Sequence, residues 1–247
     1  MIKEDLKKIR EELIKLDDKR EFKDILPKRS CYQEIYEVNK NKLNDIAICY
    51  MNSVTTFKQL FSKIYYLAKA LTEIGVKEGD SVAISTLATP EGVISFFAVN
   101  YIGATANMIN VFSGGDREIE EQMRKFNSKV LIAQDIFYNK RIRNIMDKVG
   151  VTNVVTTGLA DSLPATLNMD RAKFEMVEIL KSFGNQVSKD NRCIRFNDML
   201  NVGREAQMDI RPKYTPNKIA MVAYTSGSTG EPKAVAATNE AAVSMKY

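Results

Sequence analysis

The 247 residues carry 36 Lys and Arg against 31 Asp and Glu, for a formal charge of +5, and are 45% hydrophobic and 27% charged. That is the balance of a globular protein, and the bases are interleaved with acids rather than massed, which argues against a nucleic-acid surface. Three widely spaced cysteines (Cys31, Cys49 and Cys193) and no histidine leave a zinc site almost no ligands.

In chain order, Ile2, Leu6, Ile9, Leu13 and Leu16 come first, stepping by four, three, four and three. This is the apolar stripe of an amphipathic helix that docks on the main domain or on another protein. The N-terminus has no apolar signal-peptide core. With three thiols read as inert in a reducing compartment, the expected location is cytoplasmic. Pro27 closes this region and residues 32–41 predict a second short helix, so 1–42 read as an N-terminal helical segment.

Residues 46–56 predict a hairpin with its turn at Asn52-Ser53. A long helix follows over 57–74, burying Leu60, Ile64, Leu67, Ala68 and Leu71, with Gly75 and Gly79 at its exit. Next comes an alternation: strand 81–85, helix 90–101 opened by Pro90, strand 105–111, helix 116–126 capped by Asp116, strand 129–133, helix 135–149 and strand 151–156. The rhythm predicts an α/β fold with a doubly wound, mostly parallel sheet flanked by helices and joined by right-handed crossovers. Residues 92–112 carry no charge, but Asn100, Asn107, Asn110 and two glycines make stable membrane insertion unexpected. Gly114-Gly115 lacks the strand–GxGxxG–helix setting of a phosphate loop and reads as a connector.

From 158 to 216 the pattern weakens. A helix over 173–183, a polar loop over 185–191 and a linker over 211–216 are expected, with no function attached. Residues 218–224 then form a strand, and 234–237 a short one, with Asn239 placed to cap a helix from Glu240.

Between those strands lies Tyr224-Thr225-Ser226-Gly227-Ser228-Thr229-Gly230-Glu231-Pro232-Lys233-Ala234-Val235. Gly227 and Gly230 permit positive φ and close approach of a ligand to the backbone. Backbone N–H groups in such a turn form an anion nest. Thr225, Ser226, Ser228 and Thr229 offer hydroxyl donors, and Lys233 a compact positive charge. An ordinary Ser/Gly-rich hairpin loop shares this composition. A Walker A loop does not: the lysine lies three residues past the second glycine, no Ser or Thr follows it, and a strand rather than a helix comes next.

The full string closely resembles the phosphate-binding signature of the adenylate-forming superfamily, approximately [FY]-T-S-G-[ST]-T-G-x-P-K-G-V. That superfamily holds acyl- and aryl-CoA synthetases, adenylation domains of peptide synthetases, and luciferases. Ala234 departs from the usual glycine. Thr238-Asn239 stands where the family often has Thr-His. The runs Thr56-Phe57-x-x-Leu60, Ala68-x-x-Leu71, Gly75-Val76-x-x-Gly79-Asp80-x-Val82-Ala83 and Tyr101-Ile102-Gly103-Ala104 are similar to the opening of AMP-forming ligases and read as scaffold.

The resemblance implies a partial AMP-binding N-terminal domain over 43–247. It implies activation of a small carboxylic acid by ATP to an acyl-adenylate, with transfer to a thiol such as CoA. Magnesium is expected only in the complete enzyme, and no metal ligand is assigned. Lys233 is the implied catalytic residue. Thr225, Ser226, Gly227, Ser228, Thr229, Gly230 and Lys233 are the implied ATP-phosphate contacts. The family's metal-binding acid, ribose aspartate, hinge and C-terminal lysine lie downstream of this loop. The chain ends at Tyr247 inside a predicted helix, so the expectation is an inactive fragment that lacks the downstream half of the ligase. Two alternatives stay open: a non-catalytic nucleotide-binding or interaction module, and part of an amino-acid adenylation domain serving a carrier-protein thiol.

Overall fold

The computed structural model describes residues 28–110, 115–163, 175, 177–179, 181–182, 190–225 and 232–244. The amphipathic stripe of residues 2–16, Pro27, Gly114 and most of the polar stretch 185–191 lie outside the described residues.

Helix α1 (Cys31–Asn39) starts in a capping box. Gln33 N–H donates to Ser30 Oγ at 3.2 Å, and Ser30 N–H donates to Gln33 Oε1 at 2.9 Å. Strands β1 (Ile46–Tyr50) and β2 (Ser53–Thr56) form the expected antiparallel hairpin. Its turn sits one residue earlier than expected. Tyr50 and Ser53 are the last pair, and Met51 and Asn52 take φ of 46° and 63°. Two positive φ values in a two-residue loop suit the strand twist, and this geometry outweighs the poor fit of methionine to it.

Helix α2 (Phe57–Glu73) opens with a second capping box, Thr56 with Gln59. Then come β3 (Ser81–Ser85), α3 (Pro90–Ile102), β4 (Thr105–Met108), α4 (Asp116–Lys125), β5 (Val130–Gln134), α5 (Asp135–Phe137), α6 (Arg143–Val149) and β6 (Asn153–Thr157). Three expectations are corrected here. Strand 105–111 ends at Met108. Asp116 is the first helical residue and Gly115 the cap position, so the Asp116 carboxylate meets the helix N-terminus from within and accepts from Arg141 Nε at 3.3 Å. The single helix over 135–149 is split by a π-helical turn, Tyr138–Ile142, which buries the Tyr138 ring and Ile142 completely.

The weakly patterned region supplies β7 (Cys193–Arg195) and α7 (Phe196–Glu205), neither of which was expected. Residues 175, 177–179 and 181–182 are helical, in keeping with the expected helix there. Strands β8 (Ile219–Tyr224) and β9 (Ala234–Thr238) and helix α8 (Asn239–Ser244) complete the described chain.

Among the described residues seven strands form one sheet in the order β7-β6-β5-β3-β4-β8-β9. All neighbours are parallel except β9, which runs antiparallel to β8. The doubly wound, mostly parallel α/β sheet is therefore present. Successive residues of a strand face opposite sides. Val82 and Ile84 enter one core with Leu60, Ile64 and Ile94, while Ala83 enters the other with Ile119, Met123 and Tyr138. Val130 and Ile132 divide from Leu131 and Ala133 in the same way, which is why these strands read as unbroken apolar runs. The uncharged stretch 92–112 is accounted for in part by α3 and β4, and no helix among the described residues is long and apolar enough to cross a membrane.

Candidate functional site

The parallel strands end on one edge of the sheet, and the winding reverses there. The chain passes from β3 to β4 on one side, and β5 lies on the other side of β3. In open α/β sheets, ligands bind outside the carboxyl ends of strands at such a reversal. β8 pairs with β4 and carries the Ser/Thr/Gly-rich loop to this edge.

The two ends of the loop meet in a closed neck. Tyr224 pairs with Ala234 across the β8–β9 hairpin. One step beyond, Thr225 N–H donates to Lys233 O at 3.0 Å, and Lys233 N–H donates to Thr225 Oγ1 at 3.2 Å. The Thr225 hydroxyl uses an acceptor lone pair here and keeps its own proton to donate. Both residues are exposed. The structure thus brings together Thr225 and Lys233 among the expected contacts, while Ser226, Gly227, Ser228, Thr229 and Gly230 lie outside the described residues.

Under the neck, the Tyr224 hydroxyl lies 2.8 Å from Asn107 Oδ1 and 3.1 Å from Gln122 O, sharing its proton between them. Asn107 Nδ2 donates onward to Ser128 Oγ at 3.2 Å, and Ser128 meets Ser81 at 2.8 Å between hydroxyl oxygens. Burial pushes the Tyr224 hydroxyl up to about 12, against the Asn107 contact, so it stays protonated at neutral pH. The tyrosine is therefore a fixed donor that ties β8 to β4 and α4.

Ala234, where the resembling family has glycine, lies in extended β9 backbone and is not among the positive-φ residues. An extended position accepts a Cβ. The expected cap at Asn239 is corrected: Thr238 Oγ1 accepts from Ala241 N–H at 3.2 Å and is the cap, and Asn239 begins α8. The Asn239 side chain points inward instead, only 4% exposed.

Sequence reasoning missed a second polar cluster on the same edge. Arg195, at the end of β7, donates to Asp135 Oδ2 at 3.0 Å and to Asp161 Oδ1 at 2.9 Å. Asp161 Oδ2 accepts from Gly158 N–H at 2.7 Å. A Cβ on Gly158 would come within 2.9 Å of both the Arg195 guanidinium and the Asp161 carboxylate, so glycine leaves room for the ion pair against the backbone. Next to it, Ser162 donates to Glu91 Oε1 in the first turn of α3. Burial raises the Asp135 and Glu91 carboxyls above their ordinary range; Arg195 opposes it at Asp135, and the Ser162 hydroxyl opposes it at Glu91. Glu91 Oε2 and Asp135 Oδ1 are buried without a hydrogen-bond partner among the described residues. The cluster clamps the turn after β6 onto the ends of β5 and β7.

The chain is similar to several known proteins. The chain is 30% identical over 186 residues to 3-hydroxypropionyl-coenzyme A synthetase of Sulfurisphaera tokodaii, covering 74% of this chain and 25% of that protein. It is 27% identical over 199 residues to a long-chain-fatty-acid–CoA ligase of Bacillus subtilis, covering 78% and 34%. The chain therefore spans about a quarter to a third of these relatives. Among solved structures, the anthranilate CoA ligase AuaEII in complex with anthranoyl-AMP superposes with a TM-score of 0.67 at 22% identity, covering 87% of this chain and 36% of that one. The adenylation domain of a Mycobacterium chelonae carboxylate reductase gives 0.66 at 14% identity, covering 89% and 36%. These two likenesses concern the fold. The profile of the family described as AMP-binding enzyme matches residues 36–247, and with that span the chain belongs to the AMP-binding enzyme family.

Proposed function

We propose that this chain is the phosphate-gripping N-terminal portion of an AMP-forming acid–thiol ligase. Residues 43–247 would be a partial AMP-binding domain preceded by a helical segment, 1–42. In the complete ligase a carboxylate oxygen attacks the α-phosphorus of ATP. The bond to the β-phosphate breaks, pyrophosphate leaves, and an acyl-adenylate forms. A thiol then takes the acyl group and AMP departs. The relatives named as CoA synthetases and CoA ligases support CoA as that thiol.

One observation carries the reading: the loop with the family's signature string is delivered to the carboxyl edge of the sheet with its neck closed by Thr225 and Lys233. In this reading the Lys233 ammonium and the hydroxyls of Thr225, Ser226, Ser228 and Thr229 hold the β- and γ-phosphates. They would stabilise charge as pyrophosphate departs. Gly227 and Gly230 let the backbone close on the phosphates. Among the described residues no group of three or more acidic, Cys or His side chains could hold a metal, and no step is assigned to magnesium. The remaining machinery, including the acid pocket, would belong to a downstream half. The proposed location is the cytoplasm.

Calorimetric titration of the chain with inorganic pyrophosphate tests the grip. A charged hydrogen bond contributes roughly 1.5–3 kcal/mol, so Lys233→Ala should weaken binding about 10- to 100-fold. Unchanged affinity removes Lys233 from the site.

A further inference from the structure

Asn239 stands where the resembling family often has histidine, yet it does not face solvent or an open site. It is 4% exposed. Its Oδ1 accepts from Cys31 N–H at 3.1 Å and from Asn100 Nδ2 at 2.8 Å. Asn100, 1% exposed in α3, in turn accepts on Oδ1 from Tyr32 N–H at 2.8 Å. The first two N–H groups of α1 are orphan donors of a helix start, and this pair of amides satisfies both. The Asn239 backbone is held as well: its N–H donates to Lys218 O at 3.2 Å, at the entry of β8. Its neighbour Glu240 accepts on Oε1 from the Tyr214 hydroxyl at 2.7 Å and from Asn217 N–H at 3.1 Å.

Asn239 follows β9 directly, and β9 is the strand that leaves the loop neck at Lys233. Among the described residues β9 is also the last strand of the sheet, with β8 as its neighbour. What fixes its far end therefore fixes the trailing side of the neck.

We propose that Asn239 is a positioning residue that couples the seating of α1 on α3 to the geometry of the phosphate-loop neck. The position is thereby committed to a buried tether and does not contact the acid. The coupling runs through one acceptor atom. Without it, the starts of α1 and α8 lose their common anchor, and β9 can shift along β8. This rests on the proposed function only for its effect on phosphate.

The test is amide hydrogen exchange of the full 247-residue chain, read at Cys31, Tyr32, Thr225 and Lys233, with pyrophosphate titration alongside. Asn239→Ala should speed exchange at all four amides by at least tenfold and weaken pyrophosphate binding by about the same factor. Asn239→Asp keeps the acceptor oxygen and should hold exchange within about threefold of the native chain. Asn100→Ala removes the α3 side of the tether but leaves Cys31 N–H on Asn239 Oδ1, so it should speed exchange at the same amides by a smaller factor, about threefold, which keeps the test alive where Asn239→Ala fails to fold. Acceleration confined to Cys31 and Tyr32, with Thr225 and Lys233 unchanged, overturns the coupling. So does an Asn239→Asp chain as loose as Asn239→Ala. If the native chain binds no pyrophosphate, the phosphate reading fails while the exchange arm still decides the tether.

Discussion

Thr225 and Glu91 show how single side chains set the character of the sheet edge. Thr225 spends a lone pair on the Lys233 amide and keeps a proton for a ligand, so closing the neck and offering a donor do not compete. Glu91 is under the opposite constraint. Burial holds its carboxyl above the ordinary range while the Ser162 hydroxyl favours the ionised form. A carboxyl raised on folding contributes most below the unfolded value of about 4.3, and that contribution is lost as pH rises through the raised value. Glu91→Gln keeps the shape and removes the charge. Urea unfolding should show the variant gaining stability relative to the native chain as pH goes from 4 to 8; a gap that does not change with pH contradicts the assignment. The signature residues from Thr225 to Lys233 were legible because they lie together in one string. Glu91, Asp135, Asp161 and Arg195 were not, because four separate connections bring them together, and Arg195 sits in a three-residue strand with no apolar run to announce it.

At the level of elements, boundaries came out where a chemical stop sign exists. Thr56, Thr89 and Pro90 mark helix starts, and Gly103 and Gly150 end helices in the left-handed region. The helix α7 escaped notice although Phe196, Met199, Leu200 and Gly203 follow an i, i+3, i+4, i+7 pattern. Its glycine lowers helix propensity, and the reason for tolerating that cost appears only in three dimensions. A Cβ on Gly203 would lie 1.8 Å from Tyr66 O in α2, a contact with backbone that no rotamer change relieves. Gly203→Ala should therefore force the two helices apart, cost about 1–3 kcal/mol and lower the melting temperature by several degrees. An unchanged melting temperature would show that the α2–α7 contact is looser than its geometry. The split of the helix over 135–149 was equally hidden, since the π-helical turn follows from burying Tyr138, whose hydroxyl donates to Asp190 Oδ2 at 2.7 Å across 52 positions of sequence.

For the whole molecule, the alternation of strands and helices was enough to foresee a parallel doubly wound sheet, and both cores form as the two-sided burial of its strands requires. The order of the strands was not foreseeable, because β7 comes from the stretch with the weakest pattern. The family match covers residues 36–247, while the relatives are about three to four times as long as the stretch that aligns with this chain. The proposed function gives the 247 residues a phosphate grip and leaves acid selection and completed chemistry to a larger ligase. ATP–pyrophosphate exchange over a panel of carboxylic acids tests that division most directly. No exchange is expected from the 247-residue chain, and acid-dependent exchange is expected once a downstream ligase half is supplied; exchange by the chain alone rules this division out.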